Sequence, residues 1–466
     1  MMRKTPSILT VVVLLSLVAG CRSPNVTWQQ ASESAVPYAA QLDSRQGCTV
    51  FYAADGEMAL GGNNEDYWDP FTYVWFVPSE EGAYGRAYFG YEDFRPQGGV
   101  NDQGLFFDGL AVGRTVEVPQ GDKLAYGDNL TDKALAECAT VACVLELFDR
   151  YHAADSWDYQ FLFGDSTGDS AIVEPLAFIR GEGQFQVASN FYQSEIAPEH
   201  ASCWRFKTAT EMLESTPFLS VELFRDVLEA THQEGSSPTL YSNIYDLKQG
   251  RIYLYYFHDY DNVVVLDLAE ELAMGAHIYE IASLFPRNEA AEQWAQPYIS
   301  RYEQLLEERL APDIDPDIYD AYVGQYEVPV ELKSPSPPLT VIREGDRLFE
   351  QLGALWKQEL LPQSETSFFT IAFEGTQPRV DHEVTFIQDE TGRVTHLVTK
   401  FQGTEFTFSR IDMAPVPQQP PLTAVSTSSQ ESLGQSGFPW IWIVVPLVVL
   451  VALVAGYGLR KRSQRR

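Results

Sequence analysis

Positive charge, cysteine and histidine are all scarce in this chain of 466 residues, and each scarcity excludes something. Lys and Arg number 32 against 65 Asp and Glu, a formal net charge of −33 at pH 7. So acidic a surface is repelled by phosphate backbones and anionic bilayers, which argues against nucleic acid as a partner. Cysteine occurs 5 times and histidine 7 times, with no spacing that suits a zinc site, so no metal or cofactor is expected. Apolar residues are not scarce. They make up 45% of the chain, ample for a sizeable core, and the length allows two domains.

The two ends read as targeting segments. Met1-Met2-Arg3-Lys4 and the apolar run that follows are expected to be a signal over residues 1–20. Leu17-Val18-Ala19-Gly20-Cys21 has the form of a lipobox, in which Cys21 is lipidated; a plain signal peptide cut near Gly20 is the alternative. At the other end, residues 438–459 are apolar and, at about 1.5 Å per residue, long enough for a membrane helix. The basic run 460–466 places that tail in the cytoplasm and the rest outside. A cleaved sorting tail is the competing reading. The expectation is a bacterial cell-membrane protein facing outward, held by the C-terminal helix and an N-terminal lipid.

Between the ends, Gln46-Gly47-Cys48-Thr49-Val50-Phe51 begins a β-type run, and an Asp55-Gly56 turn leads into Gly61-Gly62-Asn63-Asn64-Glu65-Asp66. The hairpin returns Asp66 toward Cys48. A cysteine thiol reacts as its thiolate and needs a base to form it. Cutting the Gly47-Cys48 bond, and so removing 21–47 as a propeptide, would create an α-amine with a pKa of about 7.7–8.0 on the same residue. The competing reading is an apolar core cysteine at a strand start.

Several downstream segments follow the order of a known family. Val100-Asn101-Asp102-Gln103-Gly104-Leu105, Asp165-Ser166-Thr167-Gly168-Asp169-Ser170, Val187-Ala188-Ser189-Asn190, Trp204-Arg205-Phe206-Lys207 and the stretch from Leu240 to Tyr256 join the hairpin in that order. Together they resemble the choloylglycine hydrolase family of bile salt hydrolases and penicillin V acylases, cysteine amidases whose nucleophile is the first residue of the mature chain. The resemblance implies an α+β fold, a four-layer αββα sandwich over residues 48–310. It makes Cys48 nucleophile and base, Asp66 the residue that holds it, Asn190 an oxyanion donor and Arg205 a fixed positive charge. Two positions depart from the family. Its arginine in the second strand falls on Asn63, and its second oxyanion asparagine falls on Ala111, which implies an altered substrate. The implied partner is a small-molecule amide, and since the family includes oligomers, self-association is a further expectation.

Local patterns add the rest. Helices are expected within 130–152, 202–233 and 289–310, a disulfide is open to Cys138 and Cys143, and Cys203 stays unpaired. After a Pro-rich boundary at 311–316, residues 317–412 read as a small β barrel or sandwich, similar to the accessory domain of secreted β-lactamase-like hydrolases. Residues 413–437 are a Pro, Gln and Ser linker. The functional expectation is an amidase acting on a linear C–N bond. An acyltransferase of the isopenicillin N acyltransferase type, or a cell-surface binding protein with a decayed site, are the alternatives.

Overall fold

The hairpin sets the architecture. Strand β1 (Thr49–Ala54) pairs antiparallel with β2 (Ala59–Asp66), and the Asp55 carboxylate closes the turn by accepting from the backbone N–H groups of Glu57 at 2.9 Å and Met58 at 2.8 Å. Every residue of β2 is buried, so both faces of the sheet are covered. These strands lie within a six-stranded sheet of order 185–188, β1, β2, 239–246, 251–256 and 259–267.

The computed structural model describes residues 47–411 except 153, 155, 217, 312, 313, 330, 331, 333–336, 354, 355, 375, 376 and 402, together with 423–424. The expected signal, the Cys21 lipidation site, the propeptide up to 46, almost all of the linker, the 438–459 span and its basic tail lie outside the described residues. Among the described residues, no helix is long and apolar enough to cross a membrane.

A second sheet, of nine strands, contains β3 (Thr72–Val77), β4 (Arg86–Tyr91), β5 (Pro96–Asn101) and β6 (Leu105–Glu117). Side chains alternate across each strand, so each sheet has an inner and an outer face. The inner faces meet through Val50, Tyr52, Phe89, Phe106, Leu162 and Tyr245. The outer face of the first sheet, with Phe51, Leu60 and Ile244, packs on Phe206, Phe224 and Leu228. The outer face of the second, with Leu105, Phe107 and Phe163, packs on Leu135, Val144 and Phe148. The helices that supply these residues are α1 (Leu130–Glu137), α2 (Val141–Arg150), α3 (Trp204–Ser215) and α4 (Val221–Thr231). The layer order is helix, sheet, sheet, helix, a mixed α and β arrangement in which strands predominate.

Helix starts follow capping chemistry. The side chains of Asn129, Thr140 and Ser220 accept backbone N–H groups at the starts of α1, α2 and α4. Cys138 and Cys143 are disulfide-bonded across the α1–α2 connection, and Cys48 and Cys203 are free and buried. Two of the family-like motifs are braces for this layer. Asn101 Nδ2 donates to the carbonyls of Leu135 and Cys138, both at 2.8 Å, and Asp165 accepts the Val141 N–H at 2.8 Å. Their wording therefore records how loops are tied to helices, a structural role.

After the helix Glu289–Arg309, a second nine-stranded, wholly antiparallel sheet spans 324–410. Its two outermost strands, Trp356–Glu359 and Leu361–Pro362, are separated in the chain only by Leu360, so the sheet curls around Tyr322, Tyr326, Val341, Phe368, Phe386 and Leu397. The Lys357 N–H donates to the Asp93 carbonyl at 2.7 Å, joining this sheet to the turn after β4.

Within this sheet His382 is buried between Glu350 and Asp381. Burial opposes its charge, but the Glu350 carboxylate and the hydrogen bonds that the ring donates to both acids outweigh that and push its pKa up to about 10. The stabilisation is full below the unfolded-state pKa of about 6.5 and is lost as pH rises through 10. Thermal unfolding of the chain from pH 7 to 10 should therefore show a falling midpoint for the transition of this sheet, and His382→Gln should flatten that slope.

Candidate active site

The site forms where β1 begins. Gly47 has φ of +134°, a conformation L side chains rarely adopt, and a Cβ there would lie 2.4 Å from Asn190 Oδ1. Only glycine fits before Cys48. The Gly47 carbonyl accepts a hydrogen bond from Gln233 Nε2 at 3.0 Å. The same Gln233 amide also donates to Asp66 Oδ2, and Thr239 Oγ1 donates to Asp66 Oδ1. Burial pushes the Asp66 carboxyl up to about 7, against the pull of Arg205 and these two donors. Asp66 thus lies beside the Gly47-Cys48 bond, linked to it through Gln233, while its own backbone N–H faces the Cys48 sulfur.

Arg205 is fully buried in the first turn of α3. Its guanidinium donates to Thr49 Oγ1 at 3.1 Å, Ser189 Oγ at 3.3 Å and Asn190 Oδ1 at 2.8 Å. Gripping Oδ1 decides the orientation of the Asn190 amide, because Nδ2 must then turn the other way. It donates to the Ala111 carbonyl at 2.7 Å. Asn190 and Ala111, two positions expected to face an oxyanion, are thereby joined across the two sheets, with Ala111 at an irregularity in β6. One Asn190 amide proton is used in that bond and one remains.

The sulfur's nearest acid is a residue the motif comparison passed over. In the β1–β2 register Thr49 pairs with Asn64, and one step further sets Glu65 opposite Cys48. Glu65 is buried, hydrogen-bonded to the thiol, to Tyr91 Oη at 2.8 Å and to Asn63 Nδ2 at 3.3 Å. Strand alternation on the hairpin is the signal that points to it. Asn63 lies behind, fully buried, with its Oδ1 unpartnered. Across the layer Asp108 fills the space left by Gly98, buried and with no side-chain hydrogen-bond partner. Burial and then Glu65 push the Asp108 carboxyl well above its ordinary range. Gln233 and Thr239 also escape sequence reasoning, since no local pattern announces a residue that reaches Asp66 from more than 160 positions away.

This surrounding controls the thiol. Burial, then the charges of Glu65 and Asp66, push the Cys48 pKa well above its ordinary value. In the chain with an intact Gly47-Cys48 bond the thiol is protonated at neutral pH and needs a base brought to it.

Comparison with known proteins adds the following. A family model described as a domain of unknown function, DUF3471, matches residues 308–414. No curated protein matches the chain. Among solved structures, penicillin V acylase from Agrobacterium tumefaciens is similar at 16% identity and a TM-score of 0.38, over 50% of this chain and 90% of its own. Two variants of conjugated bile acid hydrolase from Clostridium perfringens are similar at 16% and 15% identity, with TM-scores of 0.42 and 0.40. They cover 52% of this chain in each case and 99% and 97% of their own. Likeness at this level assigns no activity, which has to come from the site itself.

The charge pattern makes a direct prediction. In uncut chain at pH 8, the peptide carrying Cys48 should be alkylated slowly by iodoacetamide, read by peptide mass mapping. Glu65→Gln removes a charge that opposes the thiolate, and the rate should rise by roughly tenfold for each unit by which the pKa falls. An unchanged rate would mean that Glu65 does not govern the thiol.

Proposed function

We propose that the protein is a cysteine amidase that matures by cutting its own Gly47-Cys48 bond and then hydrolyses a linear C–N amide bond. The observation that carries this reading is the Gly47 carbonyl held by Gln233 immediately before a buried cysteine, with Asp66 on the same amide. The Cys48 sulfur and the Gly47 carbonyl carbon close a five-membered ring. In maturation the sulfur adds to that carbon as its proton passes to the departing nitrogen, Gln233 Nε2 supports the developing oxyanion, and the C–N bond breaks to leave a thioester and a free α-amine. Water then hydrolyses the thioester, releasing a carboxylate on Gly47 and the thiol on Cys48.

In the mature chain the α-amine, with a pKa of about 7.7–8.0, is the base that the thiol otherwise lacks. It takes the thiol proton, the thiolate attacks the substrate carbonyl, and the remaining Asn190 amide proton serves the tetrahedral oxyanion. The amine returns its proton to the leaving amine, and water releases the acyl group. Arg205 acts by holding Asn190 and by offsetting the charge of Asp66. The inner wall carries Glu65 and Asp108, so the part of the substrate that packs there is neutral or cationic. N-acyl amino acids and related acyl amides, bound by any carboxylate away from that wall, are the substrate class we infer. We further propose an outward-facing, membrane-anchored protein, on the basis of the lipobox at Cys21 and the 438–459 span.

A second reading has its own observation. The carboxylates around Cys48 and the Asn63 and Ala111 positions also suit a binding protein whose bond stays uncut. Expression of Cys48→Ala, Gln233→Leu and wild-type chains separates the two. Cys48→Ala should abolish both cleavage and hydrolysis of an N-acyl amino acid panel. Gln233→Leu should slow cleavage by about 10²–10³-fold, the usual effect of losing one oxyanion donor. Hydrolysis that persists in Cys48→Ala would remove the proposal.

A further inference from the structure

No spacing in the sequence suggests a metal site, yet the fold gathers one set of suitable donors. His232, directly after α4, Glu234 two residues later and His258 offer ligand atoms that all lie within 4.8 Å of one another, the single such group among the described residues. The six-stranded sheet makes the approach possible, since His258 sits in the turn between strands Arg251–Tyr256 and Asp259–Asp267.

Both imidazoles are prepared in the way that metal-binding histidines are. His232 Nδ1 lies 2.5 Å from the Glu229 carbonyl, which takes its N–H and leaves Nε2 with a free lone pair. His258 has its Nδ1 side toward the backbone carbonyl of Gln233, and its buried Nε2 has no partner. A buried ring nitrogen with nothing to accept from is costly unless something occupies it. His232 Nε2 is 3.9 Å from Glu234 Oε1, and the exposed Glu234 side chain is free to swing inward. Donors about 2.0–2.1 Å from a zinc ion in tetrahedral geometry are about 3.4 Å apart, so closure needs movements of about an ångström.

The backbone points the same way. Phe257 and His258 have φ of +45° and +63°, values that turns normally reserve for Gly or Asn. Strain of this kind in a bulky residue collects where a side chain has to be aimed.

We propose that His232 Nε2, His258 Nε2 and Glu234 form a zinc-class metal site that fixes Gln233. Two of its ligands flank Gln233 in the chain, and the third faces that residue's carbonyl. The site is separate from Cys48, and its link to maturation rests on the function proposed above, whereas metal binding itself does not.

Calorimetric titration of the untagged, chelator-treated full chain with zinc chloride tests it. One zinc per chain is expected in wild type, with binding at least about tenfold weaker in His258→Ala and in Glu234→Gln. Zinc should raise the thermal unfolding midpoint of wild type more than that of either variant. Glu234 is on the surface, so its variant is expected to remain folded by circular dichroism. Absence of wild-type binding, or equal affinity in wild type and Glu234→Gln, overturns the metal site whatever the amidase assays show. Binding as proposed with no self-cleavage would leave the site standing and remove only the link to maturation.

Discussion

One side-chain amide holds the site together. Gln233 Nε2 donates both to the Gly47 carbonyl and to Asp66, tying the last residue before Cys48 to the end of β2. Leu240 and its neighbours carry the chain from this point into the fourth strand of the sheet, beside β2, and Thr239 adds a second donor to Asp66. Remove the bridge and a buried carboxylate loses a partner, a change that costs about 1–3 kcal/mol and leaves the Gly47 carbonyl unsupported. Gly47 then has no reason to keep its strained conformation against Asn190.

Around this bridge the charges are arranged in two parts. On the helix side of the first sheet, Arg205 orients Asn190 through its Oδ1 and holds Thr49. On the inner side, burial and then the carboxylates of Glu65 and Asp66 keep the thiol protonated. A buried thiol among carboxylates is a poor nucleophile until a base arrives, so under the proposed function the release of an α-amine at Cys48 would switch inert chemistry to active.

The parts of this structure that depend on near neighbours were legible. The β1–β2 hairpin, helices α1 to α4 and the disulfide between Cys138 and Cys143 follow from turn residues, periodicity and short spacing. The motif at Asn101 and the motif at Asp165 were read as family wording, and their physical basis is the bracing of loops against α1 and α2. What sequence could not supply is contact across the layers. Glu65 needed the strand register, Gln233 needed the return of the chain after α4, and His258 needed a two-residue turn to meet His232. Each of these is a long-range consequence of packing, with no local signature. The Cys21 and 438–459 readings concern segments outside the described residues and stand on composition alone.

The central claim is that Cys48 becomes the first residue of the working enzyme. Intact mass with N-terminal sequencing of the protein purified from its native host addresses it most directly. A chain that begins at Cys48, with the Gly47 side released, is the predicted result. A chain that still carries residues before Cys48, with the Gly47-Cys48 bond whole, would contradict it.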